Sequence, residues 1–202
     1  VDVAFELQNG SAAPVAAHAY YQIVRDDKSP SGENAMMYVF TGPAFYTAEK
    51  AFNKLGFSDV EEGKASLPRE ATDGWIAMVQ HYFASAWLIG PGARDYVTAK
   101  LGDNQYALAM MVKLGNLPPN TMLTHEATLF AGPQEEKKLE AMTPGLDLVK
   151  DYGYFTILAK PLFWLLDHLY GLLKNWGWSI VALVVLLKIA FYWLNASAYR
   201  SM

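Results

Sequence analysis

Lys188 is the residue whose setting most demands a chemical role. It is the single charged side chain within residues 176–194, WGWSIVALVVLLKIAFYWL. On a helix, Lys188, Tyr192, Asn195 and Tyr199 fall at i, i+4, i+7 and i+11, one polar stripe on a surface otherwise made of Leu, Val, Ile, Ala and Phe. A charge held inside such a span costs about 3 kcal/mol on insertion scales, so it implies either a wet, polar groove or a lysine that snorkels to the helix end. Lys188 lies close enough to Leu194 for snorkelling, but the aligned Tyr and Asn favour a groove that opens towards Arg200. The chemistry on offer there is electrostatic attraction, not bond making.

Other candidates for chemistry are weaker. His18, His81, His125 and His168 have no His or carboxylate partner at metal-ligand spacing, and no HExxH is present. Glu61-Glu62 and Glu135-Glu136 are adjacent pairs in polar stretches, better read as solvated surface than as an acid/base dyad. There is no G-x-S-x-G and no P-loop; Gly90-Pro91-Gly92, Gly42-Pro43 and Gly132-Pro133 read as turns. The absence of Cys removes a thiol nucleophile, a thiolate zinc site, an iron–sulfur site and a disulfide framework. No catalytic residue, metal or cofactor is therefore expected. The 12 Tyr and 6 Trp could build a sugar-binding face, though aromatic strands are the commoner cause.

The elements that would position Lys188 follow from patterning. A run of 19 residues with one charge is the length of a membrane-crossing helix, and Trp176 and Trp178 at one end with Tyr192 and Trp193 at the other match interfacial aromatic belts. The preceding stretch, PLFWLLDHLYGLLK from Pro161 to Lys174, is amphipathic. Asp167, Gly171 and Lys174 share a stripe, and six leucines with Phe163 and Trp164 cover the rest. Such a helix suits a membrane surface, with packing on a soluble domain as the competing arrangement. Pro161 is expected in its first turn and a corner is expected at residues 175–177.

The first 159 residues differ sharply. They carry 12 basic and 19 acidic side chains, whereas residues from Lys160 onward carry a net charge of +3. That acidity excludes a nucleic-acid partner. Hydrophobic residues at 52% with charged residues at 18% exclude a disordered chain over the 202 residues. Residues 1–7 alternate, and Asn9-Gly10 predicts a hairpin with a partner at 15–24. Further strands are predicted at 36–40, 74–89, 105–114 and 121–130, and one helix at 133–142 opened by Pro133. This predicts a mainly β fold, an antiparallel sandwich. The chain opens on Val1 without a Met, which suggests a trimmed product whose first strand has a partner upstream. Arg200 after the span mildly favours a cytoplasmic C-terminus with the acidic domain outside.

Several segments taken in order carry a resemblance. They are DGWIAMVQHYFASAW at 73–87, TLFAG at 128–132 followed by Pro133, LDLVKDYGY at 146–154, Lys160-Pro161-Leu162-Phe163, Asn175-Trp176-Gly177 and the closing residues 199–202. Together they resemble the bacterial YidC family of membrane protein insertases along nearly the whole chain. The resemblance implies a twisted β-supersandwich of mutarotase-like topology at 1–159, missing its N-terminal part and without established catalysis. It implies an amphipathic interfacial helix at 160–175 and a transmembrane helix at 176–198, the first of five that form a hydrophilic groove. Lys188 takes the place of the basic residue, usually Arg, of that groove, with Tyr192, Asn195 and Tyr199 beside it. Phe163, Trp164, Trp176 and Trp178 become membrane-interface residues.

The same resemblance implies a multi-pass protein of the inner membrane with its large domain in the periplasm. Nascent membrane proteins, the lipid bilayer and the Sec translocon (SecYEG and SecDF) are its implied partners, with the ribosome reached only through parts outside these 202 residues. The other groove helices and an upstream signal anchor are expected outside the chain, which alone is expected to lack insertase activity. The alternative is a membrane-anchored module whose aromatic sandwich binds a glycan or peptide, and which gives Lys188 no role.

Overall fold

A computed structural model of the protein describes residues 1–28, 40–68, 70–150 and 156–192. The chain divides into two compact units, residues Val1–Asp151 and Tyr152–Met202. The first unit is an antiparallel β-sandwich. Its strands are β1 (Asp2–Gln8), β2 (Val15–Arg25), β3 (Gly42–Thr47), β4 (Ala51–Lys54), β5 (Trp75–Val79), β6 (Phe83–Ile89), β7 (Arg94–Lys100), β8 (Tyr106–Leu117) and β9 (Met122–Pro133). One sheet has six strands in the order β1-β9-β6-β5-β3-β4, and the other has three in the order β2-β8-β7. Between β4 and β5 lies the short helix α1 (Phe57–Glu61); after β9 come α2 (Glu136–Met142) and a 3-10 turn at Leu146–Val149.

Two cores share the larger sheet. One lies between the sheets, where Phe45, Ile76 and Ala127 meet Tyr21, Tyr96, Leu108, Met110 and Val112. The other lies on the outer face of the six-stranded sheet, where Trp75, Ala77, Ala86 and Leu88 are covered by Leu139, Leu146 and Val149. Central strands are thus buried on both faces. Every residue of β5 is buried, and β3 is nearly so. Such strands lose the inside–outside alternation that a half-exposed strand shows. For that reason the stretch 74–89, predicted as one strand, is a hairpin of β5 and β6 paired from Trp75↔Leu88 to Val79↔Ala84. Its turn, Gln80-His81-Tyr82, contains none of the usual turn residues.

The predicted hairpin of β1 and β2 is not formed. β1 pairs with β9 in the larger sheet, and β2 pairs with β8 in the smaller. Asn9 instead anchors a crossing between sheets. It is 5% exposed, donates its side-chain amide to the carbonyls of Ala13 and Leu117, and accepts from the Ser11 N–H and hydroxyl. Its backbone also bonds Thr121 and Asn120, so it binds the β8–β9 crossing as well. The third crossing among the described residues, β6 to β7, passes through Gly90-Pro91-Gly92 and ends on the buried Arg94.

Gly42-Pro43 and Gly132-Pro133 are strand residues, not turns. Pro43 pairs with Met78, and Pro133 pairs with Phe83. Pro43 sits near the start of its strand, where a missing N–H is tolerated and its carbonyl still accepts from the Leu55 N–H. Because Pro133 closes β9, the helix predicted to start there begins at Glu136. Strands β3, β4 and β7 were not anticipated from the sequence, and most of the predicted strand at 36–40 lies outside the described residues.

The second unit contains α3 (Thr156–Leu173) and α4 (Trp176–Ala190). Pro161 lies inside α3, not in its first turn. The helix begins earlier than predicted because Leu158, Ala159 and Lys160 are good helix formers that extend the leucine-rich run upstream. Lys174, in a left-handed conformation with φ 52°, ends α3, and Asn175 caps α4. The corner is therefore shorter than residues 175–177, since Trp176 and Gly177 already belong to α4. Among the described residues no helix is long and apolar enough to cross a membrane. The described part of α4 has 15 residues and residues 193–198 lie outside the description.

Candidate functional site

The α3–α4 corner is held by several bonds at once. The Lys174 N–H donates to the Tyr170 carbonyl at 2.8 Å. The Asn175 side chain accepts from the Trp178 N–H at 3.2 Å, satisfying one of the orphan donors of α4. Ser179, fully buried, returns its hydroxyl to the Asn175 carbonyl at 2.7 Å. The rings of Tyr170 and Trp176 stack at 4.1 Å with 10° between planes.

Around this corner the apolar surface faces outward. Phe163, Trp164, Trp176 and Trp178 are all exposed, Trp178 by 67%. So are Ile157, Leu158, Leu172, Ile180, Val181, Val185 and Ile189. Lys188 is exposed on the same helix. With Tyr192 one turn further, it lines a shallow depression completed by Val185 and Ile189. Of the four predicted stripe residues, Lys188 and Tyr192 are therefore side by side, while Asn195 and Tyr199 lie outside the described residues. Here a fixed ammonium and a phenol are set on an apolar wall. They can attract an acidic or polar segment, and among the described residues no general base stands beside them to activate a nucleophile.

The histidines are separated by the fold. His18 is exposed on β2, His81 packs on Tyr82, and His168 Nδ1 donates to the Trp164 carbonyl at 2.8 Å on α3. Only His125, on β9, enters the sandwich. Its ring lies 6.0 Å from that of Tyr21, and both His125 Nε2 and the Tyr21 hydroxyl are buried with no hydrogen-bond partner among the described residues. Burial, and secondly the nearby Arg94, push the His125 imidazole below its ordinary pKa, and burial pushes the Tyr21 phenol up. Among the described residues no three His, Asp or Glu side chains converge as a metal site would require. Glu61 and Glu62 are paired outward with Lys100 and Lys64, each at 2.5 Å. Hydrogen bonds from Lys100 and Tyr106 hold the Glu61 carboxyl below the usual range.

Sequence reasoning missed Arg94. It is fully buried, yet it forms no ion pair among the described residues. Its guanidinium spreads over three carbonyls, from Nε to Gly92 at 3.0 Å, from Nη1 to Gly74 at 2.7 Å, and from Nη2 to Gly90. A signal was present in the three glycines around it, whose bare backbones let a fork of donors approach.

Comparison with known proteins agrees with this architecture. Residues 1–165 match the family described as the YidC periplasmic domain. A "Membrane protein insertase YidC" of Cupriavidus pinatubonensis is 49% identical, aligned with all of this chain and 36% of its own length. That of Aromatoleum aromaticum is 47% identical, over all of this chain and 37% of its own length. That of Laribacter hongkongensis is 44% identical over the whole chain. The chain thus spans a little over a third of the length of these relatives. With a family model matching residues 1–165 and relatives near 48% identity over its whole length, this chain belongs to the YidC family.

Proposed function

We propose that this chain supplies three parts of a membrane protein insertase: a periplasmic sandwich, a helix lying on the membrane surface, and the first helix of a hydrophilic intramembrane groove. The observation that carries the reading is Lys188, a lone cation beside Tyr192 on the otherwise apolar α4. The relatives' printed name, insertase, supports the same assignment. In this reading the span runs over residues 176–198, of which 176–192 are described. α3 lies in the interface through Phe163 and Trp164, with Trp176 and Trp178 at the water boundary. A nascent membrane protein presents polar flanks that resist hydrocarbon. A wet groove shortens the apolar distance they must cross, and the Lys188 charge favours transient contact with acidic flanks. The segment then leaves sideways into lipid as its apolar surface is buried. The protein acts in the bacterial inner membrane, alone or with the Sec translocon, and without covalent catalysis.

The test is site-specific crosslinking in the full-length parent. A photoprobe replaces Tyr192, stalled nascent membrane proteins serve as substrates, and Lys188→Ala is the companion variant. Crosslinks are expected at position 192 and should fall several-fold in Lys188→Ala. Strong crosslinks unchanged in Lys188→Ala would leave a groove working by hydration alone. Absence of crosslinks would remove α4 from the substrate path and return attention to the sandwich as a glycan- or peptide-binding module.

A further inference from the structure

The polar stripe of α3 carries a charge pattern that the insertion scheme does not use. Lys160 and Asp167 lie on α3, and Lys174, a further seven residues on, follows its last residue, Leu173, so the two lysines flank a helical stretch of roughly 20 Å. Both are exposed. On a helical wheel Phe163 falls on one side of this stripe and Trp164 on the other, both exposed, where aromatic side chains mark the boundary between lipid tails and headgroups. Beyond them the surface is apolar, with Ile157 exposed by 87% and Leu172 by 80%. The helix thus carries a net positive polar edge over a bare apolar face. The acidic excess of the chain lies in residues 1–159. An acidic domain is repelled by an anionic surface, so any attraction to one must be local to this stripe.

We propose that α3 binds anionic phospholipid headgroups through Lys160 and Lys174. This rests on the reading of α3 as a surface helix and adds to it a lipid selectivity. The two ammonium groups sit at opposite ends of the stripe and engage separate phosphates, while Asp167 between them tempers the attraction. A lysine near an anionic membrane contributes about 1 kcal/mol, close to fivefold in local lipid preference.

The chain has no Cys, so Leu172→Cys offers a single labelling point for an environment-sensitive nitrobenzoxadiazole dye. The labelled full chain is reconstituted in vesicles of phosphatidylcholine and phosphatidylglycerol at 7:3. Nitroxide quenchers are carried on one lipid or on the other, at equal total composition. The expected result is stronger quenching from phosphatidylglycerol, a preference of about fivefold or more. It should fall to about one in Lys160→Gln/Lys174→Gln and rise in Asp167→Asn. Equal quenching by both lipids, or a preference unchanged by the lysine substitutions, would overturn the proposal while leaving α3 at the surface. Quenching by neither lipid would instead refute the surface reading itself.

Discussion

Arg94 gives the sharpest test of how the sandwich is closed. Its guanidinium holds the carbonyls of Gly74, Gly90 and Gly92, so one side chain joins the entry of β5 to the β6–β7 crossing. Its backbone also exchanges two bonds with Ala71, at 2.8 and 3.0 Å. The charge has been taken out of water, and burial lowers the Arg94 pKa from its ordinary value. Arg94→Lys retains that charge but replaces a planar fork by a single ammonium, which cannot serve three carbonyls approaching from separate points of the chain. At about 1.5–3 kcal/mol for each hydrogen bond to a charged group, losing two costs roughly 3–6 kcal/mol. Arg94→Met also orphans the carbonyls, but it removes the buried charge, so its cost is smaller. For a chain of this size about 2–4 °C is lost per kcal/mol, so Arg94→Lys should lower the Tm by roughly 6–24 °C, with Arg94→Met between it and the parent. The assay is thermal unfolding of the full chain in detergent, read by near-ultraviolet circular dichroism of Trp75 and Trp87. A Lys variant within about 2 °C of the parent, or a Met variant clearly less stable than the Lys variant, would refute the argument that the fork matters more than the charge.

Two further outcomes follow from the sandwich. Gly145, at φ +75°, would place a Cβ 2.3 Å from the Tyr46 ring, which stacks on Trp75. Gly145→Ala should therefore cost about 2–4 kcal/mol in urea unfolding, while Gly63→Ala, with a similar φ of +66° but open space around it, should cost only about 1 kcal/mol. The second outcome concerns pH. Because the folded state holds His125 below its ordinary pKa, the unfolded chain binds the proton first as pH falls through about 6.5. Stability is then lost towards acid, and His125→Gln should flatten the decline between about pH 7.5 and 5; an unchanged slope would show that other groups dominate it.

The elements legible in the sequence were those whose burial left a trace in its pattern. β2, with Ala17, Ala19 and Tyr21 inward and His18 and Tyr20 outward, shows the alternation plainly. β3 and β5, enclosed between two cores, show none, and Gly42-Pro43 disguised the first as a turn. Asn9-Gly10 marks a change of direction, but local chemistry cannot say which sheet the chain enters next. That choice is made by β9 and β8, whose pairs with β1 and β2 lie 81–126 residues apart in the chain. In the second unit the lysine and tryptophans stood out because they contrast with an apolar background. Arg94 was hidden for the opposite reason: an arginine in a polar loop reads as surface, and only three neighbouring carbonyls make it a core residue.

The pairing of β1 with β9 also sets a timetable. The Val1 carbonyl accepts from the Leu129 N–H at 2.8 Å, a partner 128 positions later in the chain. At synthesis rates of about 5–20 residues per second, β1 waits roughly 6–26 s for the strand that completes it. β2 waits nearly as long for β8. A ribbon of unpaired strand edge is therefore present through most of synthesis, and neither sheet can close until most of the domain has been made. Holding those edges apart until β8 and β9 have been made, rather than hastening their closure, is what this topology demands of the conditions in which the chain folds.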